Sequence, residues 1–129
     1  MRFLLDTHVL IWALANPSKL STSTHRTIAD AENEVFFSPG SIWEIAIKAQ
    51  IGRLRTALAP EEIAAAAKDS GFEELPIRST AAAYIARLPL YHRDPFDRIL
   101  IAQAICEPAR FLSADRKLTR YTDLVTLIE

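Results

Sequence analysis

Four acidic side chains stand in settings where a carboxylate is unexpected or well placed for chemistry: Asp6, Glu44, Asp97 and Asp115. Asp6 ends the apolar run Phe3-Leu4-Leu5, and Asp115 follows Phe111-Leu112-Ser113-Ala114. Glu44 is the only acid between Ser41 and Ala49, among Ile42, Trp43, Ile45 and Ile47. A carboxylate in such surroundings is costly unless something compensates it. Each also has a structural reading. Asp6 and Asp115 can cap helices, Glu44 can pair with Lys48 one turn on, and Asp97 can favour a helix dipole. Brought together, however, four acids repel one another unless a cation holds them. Oxygen ligands without a companion set of His or Cys suit Mg²⁺ or Mn²⁺ better than zinc. Such an ion makes hydroxide available from bound water, and a second ion about 4 Å away can stabilise a leaving oxygen, which fits phosphodiester hydrolysis. Thr7 and Ser113 are candidates to orient these carboxylates through their hydroxyls, with turn and cap duty as the alternative. His8, His25 and His92 show no metal-ligand spacing and read as structural or surface residues.

The elements around these acids read as alternating strands and helices. A strand over 2–5 precedes a helix from Val9 to about Ala15, stopped by Asn16-Pro17. Ser21 to Thr24 offers N-caps for a second helix reaching about Asn33. Val35-Phe36-Phe37 reads as a strand, Ser38-Pro39-Gly40 as a turn, and Ser41 to Lys48 as an apolar helix. Pro60-Glu61-Glu62 opens a helix that Gly71 closes. A third strand over 72–77 carries Pro76, which predicts an edge position. An alanine-rich helix over 79–87 follows, and Asp94-Pro95 is a good N-cap and first-residue pair for a helix to about Cys106. Phe111-Leu112, a short helix from Asp115 to Thr119, and a fifth strand from Leu124 to Ile128 complete the chain. The alternation predicts one α/β domain with a mainly parallel sheet covered on both faces. Ligands of such sheets bind outside the carboxyl ends of the strands, where strand order reverses, and all four acids fall at that edge.

Composition sets bounds. The 129 residues fit a single domain spanning 1–129, and half of them are hydrophobic, enough for a buried core. No apolar stretch is long enough to span a bilayer, and Asp6 interrupts the N-terminal apolar run, so no signal peptide is read there. The single cysteine, Cys106, excludes an internal disulfide and reads as a buried helix residue, with the cytoplasm as the default compartment. The formal net charge of −1 leaves any nucleic-acid contact to local positive surface. Arg53, Arg55, Arg93, Arg98 and Arg116 are candidates for phosphate contacts.

Four segments together resemble PIN-domain nucleases, and especially the VapC-type toxins of VapBC toxin–antitoxin pairs. They are Leu4-Leu5-Asp6-Thr7-His8-Val9-Leu10-Ile11-Trp12, Ser41-Ile42-Trp43-Glu44-Ile45-Ala46-Ile47-Lys48, Asp94-Pro95-Phe96-Asp97-Arg98-Ile99-Leu100-Ile101-Ala102-Gln103-Ala104 and Leu112-Ser113-Ala114-Asp115-Arg116. Their order and spacing match over nearly the whole chain. The resemblance implies a three-layer α/β/α sandwich with a five-stranded sheet and endoribonuclease activity dependent on Mg²⁺ or Mn²⁺. It also implies a homodimer and a VapB-type antitoxin whose tail blocks the active-site groove. Carried over residue by residue, the catalytic and metal-holding acids are Asp6, Glu44, Asp97 and Asp115. Asp94 is then an N-cap or outer support. The helix around Trp43 and the helix over 79–87 could supply partner or dimer surface, with core packing as the alternative.

Two other readings compete. An aspartate-nucleophile phosphatase would carry a second acid two residues after Asp6, where this chain has His8, and a late phosphate-binding lysine is not evident. A catalytically inactive PIN-fold binding module would have no need of four mutually repelling acids. No RNA-binding module signature is present, so RNA as substrate comes from the resemblance.

Overall fold

Side-chain alternation along the strands decides the layering. In the computed structural model, which describes residues 1–128, five strands form one sheet in the order β3-β2-β1-β4-β5. They are β1 (Arg2–Leu5), β2 (Glu34–Phe37), β3 (Glu73–Glu74), β4 (Arg110–Ser113) and β5 (Val125–Leu127). Every pairing is parallel, so the sheet is wholly rather than mainly so. Phe3, Leu5, Val35, Phe37 and Leu112 face one side, where they pack with Val9, Leu10, Ile45, Ile63 and Ala67. Leu4, Phe36, Phe111 and Val125 face the other, against Leu100, Ile101, Ala104 and Ala81. Period-two alternation has thus divided the apolar residues between two cores. Helices α1 (Thr7–Ala15), α3 (Pro39–Gln50) and α4 (Pro60–Asp69) line the first, and α5 (Ser79–Tyr84) and α6 (Pro95–Cys106) the second, with α2 (Thr22–Ala29) joining α1 to β2. This is the three-layer α/β/α sandwich expected. No helix among the described residues is long and apolar enough to cross a membrane.

Several boundaries differ from expectation for identifiable reasons. Ser38-Pro39-Gly40 is the cap and first turn of α3, not a separate turn: Ser38 Oγ accepts from Gly40 N at 3.0 Å, and Pro39 sits where a helix needs no N–H. The second helix stops at Ala29, not Asn33, because Asp30 turns its carboxylate onto the N–H of Glu32. The strand expected over 72–77 shrinks to two residues. Phe72 N still bonds Ala67 O of α4, and Pro76 has no N–H to extend pairing beyond Leu75. Its edge position is as expected. The helix over 79–87 tightens into a 3₁₀ turn at Ile85–Arg87, and the short helix after Asp115 is also 3₁₀. Cys106 ends α6 half-buried, not buried.

Two features position a site. The chain builds outward from β1 through β2 to β3, then returns to place β4 on the other side of β1, so strand order reverses between β1 and β4. At Gly40, α3 and α6 approach closely: a Cβ there would lie 3.4 Å from Ile99 Cγ2 and 3.2 Å from Ser38 Oγ. The start of α3 is thereby drawn against the start of α6. Phe111 is fully buried in the second core. Replacing it with Ala should cost about 3–5 kcal/mol, read as a lowered urea midpoint with an unchanged denaturant slope.

Candidate active site

Asp6 lies at the strand-order reversal. Its backbone N–H donates to Leu112 O of β4 at 2.9 Å, and its side chain caps α1 by accepting from Thr7 N at 2.8 Å. Its other oxygen accepts from Ser113 Oγ, at the end of β4, at 2.6 Å. Two neighbouring strands therefore fix one buried carboxylate. Ser113 has the orienting role expected of it. The Thr7 hydroxyl does not: it donates to Ser41 Oγ at 2.9 Å and ties α1 to α3.

Glu44 reaches the same region from α3 and is 3% exposed. Its Oε2 pairs with Lys48 Nζ, as the spacing foresaw, while Oε1 is buried and has no hydrogen-bond partner among the described residues. The Lys48 ammonium also lies 3.9 Å from Asp94 Oδ2. Burial opposes its charge, yet the hydrogen bond to Glu44 and the charges of Glu44, Asp94 and Asp97 prevail and hold its pKa above the ordinary lysine value.

Asp97 sits in the first turn of α6, and Asp94 caps that helix through bonds from Phe96 N at 2.9 Å and Asp97 N at 3.4 Å. Asp97 Oδ2 lies 2.7 Å from His92 Nε2. Among the described residues, His92, Asp94 and Asp97 each bring one ligand atom within 4.8 Å of the others. That tight grouping contains only one of the four acids singled out in the sequence. Asp6 and Glu44 stand outside it but act on Asp97 through their charge. Asp115 is at the rim: it is half-buried, caps the 3₁₀ turn Arg116–Arg120 through Lys117 N at 3.0 Å, and lines a cleft of about 390 Å³ with Asp6, His8 and Trp12.

His92 thus joins the cluster in a role compatible with the structural one read for it, bracing Asp97. The sequence offered only its proximity, two residues before Asp94, and no ligand spacing. Arg98 is a correction. It is buried, and its guanidinium donates to the carbonyls of Ile85, Leu88, Pro89 and His92 and to Tyr121 Oη. An arginine with its donors so engaged is not available to a phosphate. Arg53, Arg55, Arg93 and Arg116 are exposed. The donor set fits a hard divalent cation: clustered carboxylates, one of them braced by an imidazole, and a dry carboxylate oxygen that lacks a partner among the described residues.

The chain resembles known proteins over nearly its whole length. The PIN-domain family model matches residues 3–124. Ribonuclease VapC22 of Mycobacterium tuberculosis is 30% identical over 119 residues, covering 89% of this chain and 88% of that protein. A chain in the crystal structure of VapBC2 from Rickettsia felis, bound to a DNA fragment from their promoter, superposes with a TM-score of 0.73 at 15% identity, over 100% of both chains. At that identity, the likeness is one of fold.

Burial is the main reason that Asp6 holds its proton above the usual carboxylate value, opposed by the hydrogen bonds from Ser113 and Thr7. Burial, then the charges of Asp6, Asp94 and Glu44, pushes Asp97 up to about 7 against the hydrogen bond from His92. The unfolded chain releases these protons near the ordinary value of 3.8. Between that pH and about 7 the folded state binds more protons at Asp97, and the raised affinity of Asp6 acts in the same direction, so these groups favour folding fully at low pH and lose that contribution as pH rises. In chelator-treated protein, the urea midpoint should carry a component that falls across this window. Asp97→Asn should remove its own share of that fall and leave the variant at least as stable as the parent near neutrality.

Proposed function

The chain belongs to the PIN-domain family, and from that premise we propose that it is a metal-dependent endoribonuclease of VapC type, hydrolysing RNA phosphodiester bonds as the toxin of a type II toxin–antitoxin pair. The observation that carries this reading is the buried, unpartnered Oε1 of Glu44 beside Asp6 and Asp97. A dry carboxylate oxygen without a donor is costly, and a divalent cation removes the cost for all three acids at once.

In this reading Asp6, Glu44, Asp97 and Asp115 are the catalytic and metal-holding residues. When bound, Mg²⁺ or Mn²⁺ would supply an activated water and stabilise charge on the scissile phosphate. The chain's own groups orient the acids. Ser113 and the Thr7 N–H hold Asp6, Lys48 holds Glu44, and His92 holds Asp97. Asp94 gives outer support through the helix cap and its charge. Asp115 stands at the mouth of the cleft, where it can meet the ion through water or admit the substrate.

An RNA strand has a route to these acids. The cleft beside Asp6 and Asp115 shares His8 and Trp12 with a second, of about 290 Å³, which is also lined by Asn16 and Arg55. The two rings have centroids 5.9 Å apart, and such surfaces suit unstacked bases. Arg53, Arg55, Arg93 and Arg116 then serve backbone phosphates.

A VapB-type antitoxin and a second copy of the chain are the proposed protein partners. The VapBC2 likeness supports the first. Trp43, 60% exposed with its ring edge-on to Phe96, and Leu90, 82% exposed, give apolar surface for either. Much of α5 instead faces solvent, with Ala81 buried in the core.

The test uses partner-free protein with total cellular RNA and Mg²⁺ or Mn²⁺, beside chelator and Asp6→Asn controls, with cut ends sequenced. Discrete metal-dependent cuts should fall on the order of a thousand-fold in Asp6→Asn, because a held cation contributes several kcal/mol to the transition state. Folded protein that neither cleaves RNA nor binds Mn²⁺ would instead be a binding module.

A further inference from the structure

Each of the three inner carboxylates has one oxygen committed to a fixed side-chain donor. Ser113 takes Asp6 Oδ2, Lys48 takes Glu44 Oε2, and His92 takes Asp97 Oδ2. For Glu44 the other oxygen is buried and unpartnered. A carboxylate that holds a cation is ionised and only accepts, so in that state His92 Nε2 carries the hydrogen at Asp97, leaving Oδ1 as the oxygen that Asp97 can turn to an ion.

Cations differ in what they ask of a carboxylate. Mg²⁺ demands near-octahedral geometry with ligands at about 2.0–2.1 Å, whereas Ca²⁺ takes about six to eight oxygens and readily accepts a carboxylate through both. Resting on the metal-site reading above, we propose that His92 is a positioning residue that restricts Asp97 to a single free oxygen and so selects a small octahedral cation, Mg²⁺ or Mn²⁺, over Ca²⁺.

The imidazole is held in place by its backbone. His92 N donates to Tyr121 Oη at 2.8 Å, and Tyr121 Oη donates to His92 O at 3.2 Å. Arg98 binds the same carbonyl and those of Ile85, Leu88 and Pro89, which fastens the whole 85–92 segment onto α6. Asp97 and Arg98 are adjacent on that helix. The segment bearing the imidazole and the carboxylate it restrains are therefore parts of one rigid unit. These anchors use only main-chain atoms of residue 92, so His92→Ala removes the restraint and keeps the loop.

The experiment is calorimetric titration of the full, chelator-treated chain with Mn²⁺, Mg²⁺ and Ca²⁺, for the parent, His92→Ala and His92→Gln. The alanine variant should lose about tenfold in Mn²⁺ affinity, the scale of lost outer-shell support, while Ca²⁺ affinity is unchanged or rises. The Mn²⁺-over-Ca²⁺ preference then narrows by about the same factor. Glutamine can donate an N–H to Asp97 but offers no imidazole nitrogen, so it should restore much of the preference. An unchanged preference in His92→Ala, with Mn²⁺ still bound, overturns the proposal. So does a failure of glutamine to restore it, which would make the imidazole a direct ligand. A parent chain that binds none of the three ions removes the metal site itself, a result distinguishable from either.

Discussion

Electrostatic self-repulsion in a dry place is the constraint on which this molecule is arranged. Asp6, Glu44, Asp94 and Asp97 converge at the carboxyl edge of the sheet. Burial first, then neighbouring charge, raises the proton affinities of Asp6 and Asp97, Glu44 acting on Asp6, and Asp6, Asp94 and Glu44 acting on Asp97. A fold gains nothing in stability from such a cluster. The surrounding structure offsets the penalty instead: two apolar cores, one on each sheet face, and short bonds that hold each carboxylate in one orientation. Stability is generated in the layers and spent at the edge, as expected where function demands a locally unfavourable arrangement.

Topology performs the convergence. The reversal of strand order between β1 and β4 sets Asp6 beside Ser113, residues more than a hundred positions apart in sequence. Parallel connections return every helix start to the same edge, so α3 and α6 deliver Glu44 and Asp97 there as well. Gly40 allows the two helix starts to meet. Asp6, Asp94 and Asp115 also cap the elements that follow them. Capping and chemistry are not rival explanations here, since the cap bond is what aims the carboxylate.

Much of this was legible in the residues. Apolar triplets ending at Asp6 and near Asp115, the Asp94-Pro95 cap and Pro76 at an edge strand all follow from local rules, and they locate the strands and the acid-bearing edge. What escaped was determined by distant contacts. Nothing near His92 in sequence indicates that Tyr121, 29 residues on, fixes its backbone and leaves its ring facing Asp97. Arg98 looked like a surface cation because arginine usually is one. Only the fold shows that four carbonyls between Ile85 and His92 converge on one buried guanidinium. The hydroxyl of Thr7 was likewise claimed by Ser41 from another helix. Local pattern foretells where a chain turns, but not which far neighbour will need a side chain's hydrogen bonds.

Lys48 bears on how such a protein comes into being. Its ammonium pairs with Glu44 and lies near Asp94, so some positive charge is already inside the cluster before any ion arrives. A zinc finger stays unfolded until metal binds, because the binding free energy is its folding free energy. Here the polypeptide supplies a tethered counter-ion of its own, which offsets part of the carboxylates' mutual repulsion. Under the proposed metal-dependent reading, folding and activation then become separable events: part of the acids' repulsion is already offset before an ion is bound.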